Sequence, residues 1–312
     1  MSRASRRNGP VARRKKVLWM FVAALLLGVP ANLASSEIVL VPRLKVGQVF
    51  QYKSTARIKR LAHTGSHVAI QPEQGQTETQ ISTNIVVTIK EIRIDKKKPV
   101  IVMHADLESQ PEASRDAATK ALKGKLDFTI AADGQVSQLQ GLDDVDPEQR
   151  IAWQFWVSQF AYGWTLPAKG ITLGEKWKTQ EAENTPTPIV NLVWERETTY
   201  VRNDKCPVMP AETCAVLLTD ATLKQKSSPG DTTPESYKLH QLKTSGIAKG
   251  TNETITYVSL KTHLVLRAKE DVQQMLDAIV AKADGSNEVR YLIEANSQFE
   301  VVFVPANSSA SK

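Results

Sequence analysis

The sequence predicts a mainly β protein of the α+β kind: one large, curved antiparallel sheet built from two similar halves, covered by an aromatic-rich helix and one shorter helix. Three observations point there. Long stretches alternate apolar and polar residues, the pattern of strands with one dry and one wet face. A short glycine-centred motif occurs twice, and aromatic residues crowd into one segment with helical spacing.

Ahead of the sheet, the first sixteen residues carry Arg3, Arg6, Arg7, Arg13, Arg14, Lys15 and Lys16 without an acid, and the apolar run 17–29 follows. This is the grammar of an export signal. Cleavage after Ala31 or Ala34 makes residues 1–34 a signal peptide and places the mature chain in the periplasm or at the cell surface. Left uncleaved, 17–33 would anchor it in the inner membrane. Those seven basic residues account for the whole formal charge of +7, from 40 Lys and Arg against 33 Asp and Glu. The body is therefore neutral and lacks the basic footprint of nucleic-acid binding, so the lysine run 96–98 reads as a solvated hairpin tip.

No shift in composition divides residues 38–304, and a single β-rich domain is expected there, followed by a disordered tail over 305–312. Its first strand puts Phe50, Tyr52, Ala56 and Ile58 on one face and Gln51, Lys53, Thr55, Arg57 and Lys59 on the other. Thr64-Gly65-Ser66 reads as a turn. The strand over 79–94 carries Ile81, Ile85, Val87 and Ile89, and its apolar parity then moves to Ile92 and Ile94, which places a bulge near Lys90. Residues 100–107 return as its hairpin partner. Ala113, Ala117, Ala118, Ala121 and Leu122 give 111–123 the stripe of the shorter helix, ended by Gly124. Asp133-Gly134, between alternating runs, is a hairpin turn.

Residues 146–177 hold seven of the chain's 19 aromatic residues. Asp146 as N-cap, Pro147 and Glu148 open a helix that runs to about Gly163. Trp153, Trp156, Phe160 and Trp164 are the candidate ligand-binding residues, as the wall of an apolar pocket. The bland alternative is that the helix only plugs the sheet.

Past this helix, 171–180 restarts as a strand, Pro186 and Pro188 mark a linker, and Leu192, Trp194 and Tyr200 lie on another long strand. Cys206 and Cys214 enclose PVMPAET, and in an oxidising compartment a disulfide across this loop stabilises by about 2.5 kcal/mol. Residues 227–236, SSPGDTTPES, are the most loop-like and the expected site of proteolytic nicking. Strands are expected over 239–249, over 254–260 and from Leu264. Residues 271–283 fit helical spacing, but the turn at 284–287 and the long alternating run beyond it make a strand the preferred reading.

Leu44-Lys45-Val46-Gly47-Gln48-Val49-Phe50 matches Ile171-Thr172-Leu173-Gly174-Glu175-Lys176-Trp177 at an offset of 127 residues, and Phe128-Thr129-Ile130 falls on Ile255-Thr256-Tyr257 at the same offset. Two matches at one offset suggest duplicated halves of about 44–170 and 171–297, with Gly47 and Gly174 serving a backbone need. Through LKVGQVF, DGQV and LPAKGITLGEKW the chain resembles a family of uncharacterised exported bacterial β-rich proteins, which implies the fold but no activity. At the level of fold alone it is similar to lipoprotein-carrier folds, whose curved sheet wraps an acyl chain.

Catalytic motifs are missing: there is no H-E-x-x-H, no G-x-S-x-G and no phosphate-cradling glycine loop. His63 and His67 have metal-like spacing without a third ligand, and His104 and Asp106 share a strand face without a nucleophile beside them. Neither a metal nor a cofactor is expected. The function expected is an exported, non-enzymatic module that binds a lipid or other apolar molecule and meets the membrane through its N-terminal segment alone. A structural or interaction protein of the envelope is the alternative, with an unrecognised hydrolase behind it.

Overall fold

On the first strand, β1 (Val49–Ser66), Phe50 and Tyr52 are buried while Gln51 and Lys53 beside them are exposed, and this alternation decides the architecture. The structure, a computed structural model, describes residues 37–40, 44–66, 75–95, 98–109, 123–131, 136–141, 157, 167, 169–183 and 187–305. Among them ten more strands follow: β2 (Gly75–Asp95), β3 (Lys98–Ser109), β4 (Lys123–Ala131), β5 (Val136–Gln140), β6 (Lys176–Ala182), β7 (Leu192–Lys205), β8 (Thr213–Gln225), β9 (Leu242–Ser259), β10 (Val265–Lys282) and β11 (Val289–Phe303). All eleven join one sheet in the order β5-β4-β3-β2-β1-β11-β10-β9-β8-β7-β6, and every pairing is antiparallel.

This order has one consequence for the site. Neighbours in the sheet are consecutive in the chain except where β11 meets β1, so β5 and β6 form opposite edges. The connection over 141–175, with its aromatic residues, joins one edge to the other.

Register keeps the apolar side chains on a single face. Phe50 lies opposite Val87, Val87 opposite Ala105 and Ala105 opposite Leu126, and all four are buried. In the other half Trp194 lies opposite Leu223, and Tyr200 opposite Leu217. Three clusters divide this dry face. The main one joins β1–β4 to the Cys206–Cys214 disulfide, a second surrounds Trp194 and Phe299, and a third surrounds Tyr200 and Leu217. Tyr52 packs edge-on against Phe303 at 5.4 Å and donates its hydroxyl to the Val265 carbonyl at 3.2 Å, and burial pushes its phenol well above the ordinary range. The wet face carries cross-strand ion pairs such as Arg57–Glu78, Lys176–Glu197 and Lys226–Glu195.

The two glycine turns are built alike. Gly47 (φ +80) donates its N–H to Ile89, and Ile89 donates back to Gln48; Gly174 (φ +83) donates to Tyr200, and Tyr200 donates back to Glu175. The Gln48 side chain accepts from the Lys45 N–H, as Glu175 accepts from Thr172. In both places the partner strand bulges one residue later, between Ile89 and Glu91 and between Tyr200 and Arg202. The bulge expected near Lys90 is therefore present. The second sequence match is out by one residue: register leads from Ile89 through Met103 to Phe128, and from Tyr200 through Leu217 to Thr256, not Ile255.

Several other expectations change. Thr64, Gly65 and Ser66 are not a turn but the end of β1, paired with Tyr291, Arg290 and Val289. Gly124 does not end a helix; it lies within β4, opposite Leu107. Residues 172–175 form a turn, so β6 starts later than 171, while Ile171 bridges Ile38. The strands expected over 239–249 and 254–260 are one continuous β9 that starts only at Leu242, with Leu239 in a helical turn before it, and 271–282 is strand, as preferred, within β10. Residues 227–234 form no strand, as their loop composition implies, and 228–231 are exposed, but Thr232 is 0% exposed and its hydroxyl meets that of Thr244 at 3.1 Å.

A helical cover is not supported. The helix described over its whole length, α1 (Glu235–Leu239), is a single turn that buries nothing. The shorter helix expected over 111–123 falls almost wholly outside the described residues. So does the aromatic helix over 146–163, apart from Val157, which is helical and buried in the main cluster.

Candidate functional site

Trp153, Trp156, Phe160 and Trp164, the residues expected to bind a ligand, lie outside the described residues. The cavity that is described lies at the glycine-turn end of the sheet, where 206–212 connects β7 to β8.

Cys206 and Cys214 are buried and joined by a disulfide with a Cα–Cα separation of 5.1 Å. Within the loop the Cys206 N–H donates to the Glu212 carbonyl at 3.1 Å and the Glu212 N–H to the Met209 carbonyl at 2.8 Å. Pro207 and Pro210 fix two φ angles of so short a loop. The crosslink thus holds two apolar side chains, Val208 and Met209, against the main cluster instead of in water. Beside them opens a groove of about 630 Å³ whose apolar lining is completed by Pro210, Ala211, Leu260 and Pro305.

Three polar residues, Glu212, Thr213 and Lys261, also line the groove. Glu212 is buried, and its Oε2 accepts from the Ser259 hydroxyl at 2.6 Å. Ser259 Oγ in turn accepts the Lys261 and Thr262 N–H groups at 3.2 and 3.1 Å. Lys261 Nζ lies 3.5 Å from Glu212 Oε1, with its side chain 77% exposed, so the ammonium sits at the rim on a flexible stem. The Ser259–Glu212 pair has the chemistry of a nucleophile beside a base, but Ser259 is 0% exposed and cannot reach a substrate. What the groove offers is an apolar floor and, at its rim, the Glu212–Lys261 ion pair. Its lining is mainly apolar, and it opens broadly to solvent.

A second polar group interrupts the dry face between the clusters around Trp194 and Tyr200. Arg196 Nη2 donates to Glu181 Oε2 at 3.0 Å, and its guanidinium carbon lies 6.0 Å from the centre of the Trp194 ring. Asn252 Nδ2 donates to Glu270 Oε1, and Thr254 Oγ1 donates to Asn252 Oδ1 at 2.9 Å. Glu270 is 3% exposed, and burial pushes its carboxyl from 4.5 to about 7; burial lifts Glu181 as well, against the pull of Arg196.

The third polar group is on the wet face, where His104 Nδ1 lies 2.6 Å and Lys90 Nζ 2.7 Å from Asp127 Oδ1, and His104 Nε2 lies 3.2 Å from Asp106. Partial burial alone would raise Asp127, but the hydrogen bonds from Lys90 and His104 outweigh it and hold the carboxyl below its ordinary value. His63 lies in β1 opposite Leu292, and its expected partner His67 lies outside the described residues. Among the described residues no three His, Cys, Asp or Glu side chains gather as a metal site, and no helix is long and apolar enough to cross a membrane.

Fold and groove together define a single-sheet antiparallel β protein with a disulfide-bounded apolar groove at one end. No protein-family model and no curated protein sequence matches the chain, which is consistent with its resemblance to an uncharacterised family. Among solved structures it is similar to a candidate lipoprotein from Parabacteroides distasonis, at 6% identity over 86% of this chain and 98% of that one, with a TM-score of 0.30. It is also similar to the outer membrane protein OprG from Pseudomonas aeruginosa, at 7% identity over 86% of this chain and all of the other, with a TM-score of 0.19. Both scores lie below the level at which two chains share a fold.

Proposed function

We propose that this is an exported envelope protein that binds a lipid or other amphipathic apolar molecule, and that the groove beside Cys206–Cys214 is where binding begins. The observation that carries this reading is the continuity of the groove with the core: Val208 and Met209 line the groove and also pack against the main cluster. An apolar tail laid on them leaves water at about 0.8 kcal/mol per methylene. The basic N-terminal segment with its apolar run supports export, and the disulfide fits an oxidising compartment.

The same reading takes the sheet as two related halves curving about the dry face. The matching hydrogen bonds and bulges at Gly47 and Gly174 support the duplication. Trp153, Trp156, Phe160 and Trp164 stay in this reading as further ligand-binding residues, on the segment of sequence that joins the two edges. Growth of the sheet through its edges is a weaker reading. β5 has five residues and includes Gln138 at φ 51, while β6 presents exposed Lys176 and Lys178, devices that discourage strand addition.

Native mass spectrometry of the mature chain from its own envelope, joined to titration with fluorescent fatty acids of increasing length, tests the proposal. A bound mass removable by organic solvent is expected, with affinity rising about fourfold per added methylene until the groove is full. Met209→Asp should abolish uptake. A bare mass together with no saturable uptake of any probe would overturn it.

A further inference from the structure

We propose that the β6 edge is a latch: two carboxylates draw it across the dry face toward β10, and it opens when the carboxyl of Glu270 beneath it loses its proton. Trp194, Leu223, Gly250 and Gln274 follow one another across β7, β8, β9 and β10 in register, and Glu181 of β6 lies opposite Trp194. Glu183, just past the end of β6, accepts from Trp194 Nε1 at 2.9 Å and from Gln274 Nε2 at 3.3 Å. In a flat sheet β6 and β10 would stand about 19 Å apart, too far for two such side chains to bridge, so the sheet curls here until its edge reaches β10. Gly250 makes the approach possible, because a Cβ there would come to 2.9 Å from the Trp194 ring. Glu181 adds a second tie, to Arg196 at 3.0 Å.

The latch closes over a group for which closure favours one charge state. Glu270 on β10 is buried with Asn252 and Thr254 of β9, and Phe299 of β11 lies opposite it. The charges that face it are Arg196 from β7 and Glu181 from β6, with Asp271 beside it on its own strand, and Glu183 faces Glu181 in turn. With Glu270 protonated, one guanidinium meets the two carboxylates of the edge. With Glu270 ionised it meets three, and the new charge both competes for Arg196 and repels Glu181. Opening of the edge lets water reach Glu270 and relieves both effects. The closed state therefore holds this proton more tightly than the open one. Burial raises the carboxyl from 4.5 to about 7, so the latch is tight in acid and loosens as pH rises through neutrality. None of these residues lines the groove beside Cys206–Cys214.

Hydrogen exchange of the protein, read by mass spectrometry and corrected for its intrinsic pH dependence, tests the latch. Amides of 176–183 should exchange through a local opening that sub-denaturing urea leaves unchanged, whereas those of β1 follow urea-sensitive global unfolding. The population of the local opening should rise about tenfold from pH 6 to pH 8 in the wild type and stay level in Glu270→Gln. Glu183→Ala, which removes the tie to Gln274, should raise it at pH 6 already. An opening of 176–183 with the same free energy and urea response as β1, no rise with pH, an equal rise in Glu270→Gln, or no effect of Glu183→Ala would overturn the proposal. Fatty-acid uptake by the groove is a separate measurement, so the two proposals can fail separately.

Discussion

Glu270 offers the sharpest physical test, because a carboxyl buried on a dry sheet face must show itself in the pH dependence of stability. It is 3% exposed on β10, receives a hydrogen bond from Asn252, and feels the charges of Arg196, Glu181 and Asp271. Burial outweighs Arg196 and Asn252 and raises the carboxyl from 4.5 to about 7. The folded state therefore holds this proton more tightly than the unfolded chain. The stabilisation is complete below pH 4.5, declines as pH rises and is lost above about 7, and a shift of this size corresponds to about 3 kcal/mol. Other carboxyls act in the opposite sense: Glu78, Glu197 and Asp277 are held below their ordinary values and contribute stability that is lost as pH falls. The difference between wild type and Glu270→Gln isolates the group, since the amide oxygen still accepts from Asn252. Urea unfolding followed by tryptophan fluorescence should give nearly equal stabilities at pH 4.5, and at pH 8 a glutamine variant more stable by about 3 kcal/mol. A difference that stays flat with pH, or a variant less stable at pH 8, would falsify the assignment of a neutral buried acid.

Three further outcomes follow from the geometry. Gly47→Ala and Gly174→Ala meet no neighbouring atom, so each should cost about 1–2 kcal/mol in chemical denaturation from its positive φ alone, and the two costs should match. Replacing Cys206 and Cys214 with alanine should lower stability by about 2.5 kcal/mol and weaken fatty-acid uptake, because Val208 and Met209 are no longer held against the core. Limited proteolysis should leave 227–236 intact under native conditions, since Thr232 and Thr233 are buried and bonded to Thr244; rapid cutting there would contradict the pinning.

Much of the fold was readable because its signal is local. Alternation at Phe50 and Tyr52, the parity shift around Lys90, and the glycine turns each depend on a few adjacent residues. Residues 271–283 were ambiguous by helical spacing, and the long partner run after 284–287 decided them correctly. The errors arose where a distant partner overrides a local preference. Gly65 lies in a strand because β11 continues alongside it, and Gly124 because β3 does. Thr232 looks like loop composition, yet it is the loop's buried anchor, which only the approach of β9 to the 227–234 segment could reveal.

The candidate site was less accessible for the same reason, although signals for it existed. Val208 and Met209 are an apolar pair inside a cysteine-closed loop of turn residues, which hydration alone does not favour, and their position over the main cluster explains them. Arg196 falls on the apolar parity of β7, between Trp194 and Thr198, and Glu270 on that of β10, between Ala268 and Val272. Read by strand, each looks like a lapse in pattern. Read across the sheet, Arg196 reaches Glu181 on the preceding strand, and Glu270 reaches Asn252 on the preceding strand, through the antiparallel pairings β6–β7 and β9–β10. A charge on the dry parity of one strand is therefore a question about the next strand. Its answer also limits the site: the dry face cannot be a uniform oil surface, so a tail entering from the Val208–Met209 groove and crossing toward β7 would meet a polar strip at Arg196 and Glu270. Tail length beyond which affinity stops rising thus measures how far the apolar path runs before that strip.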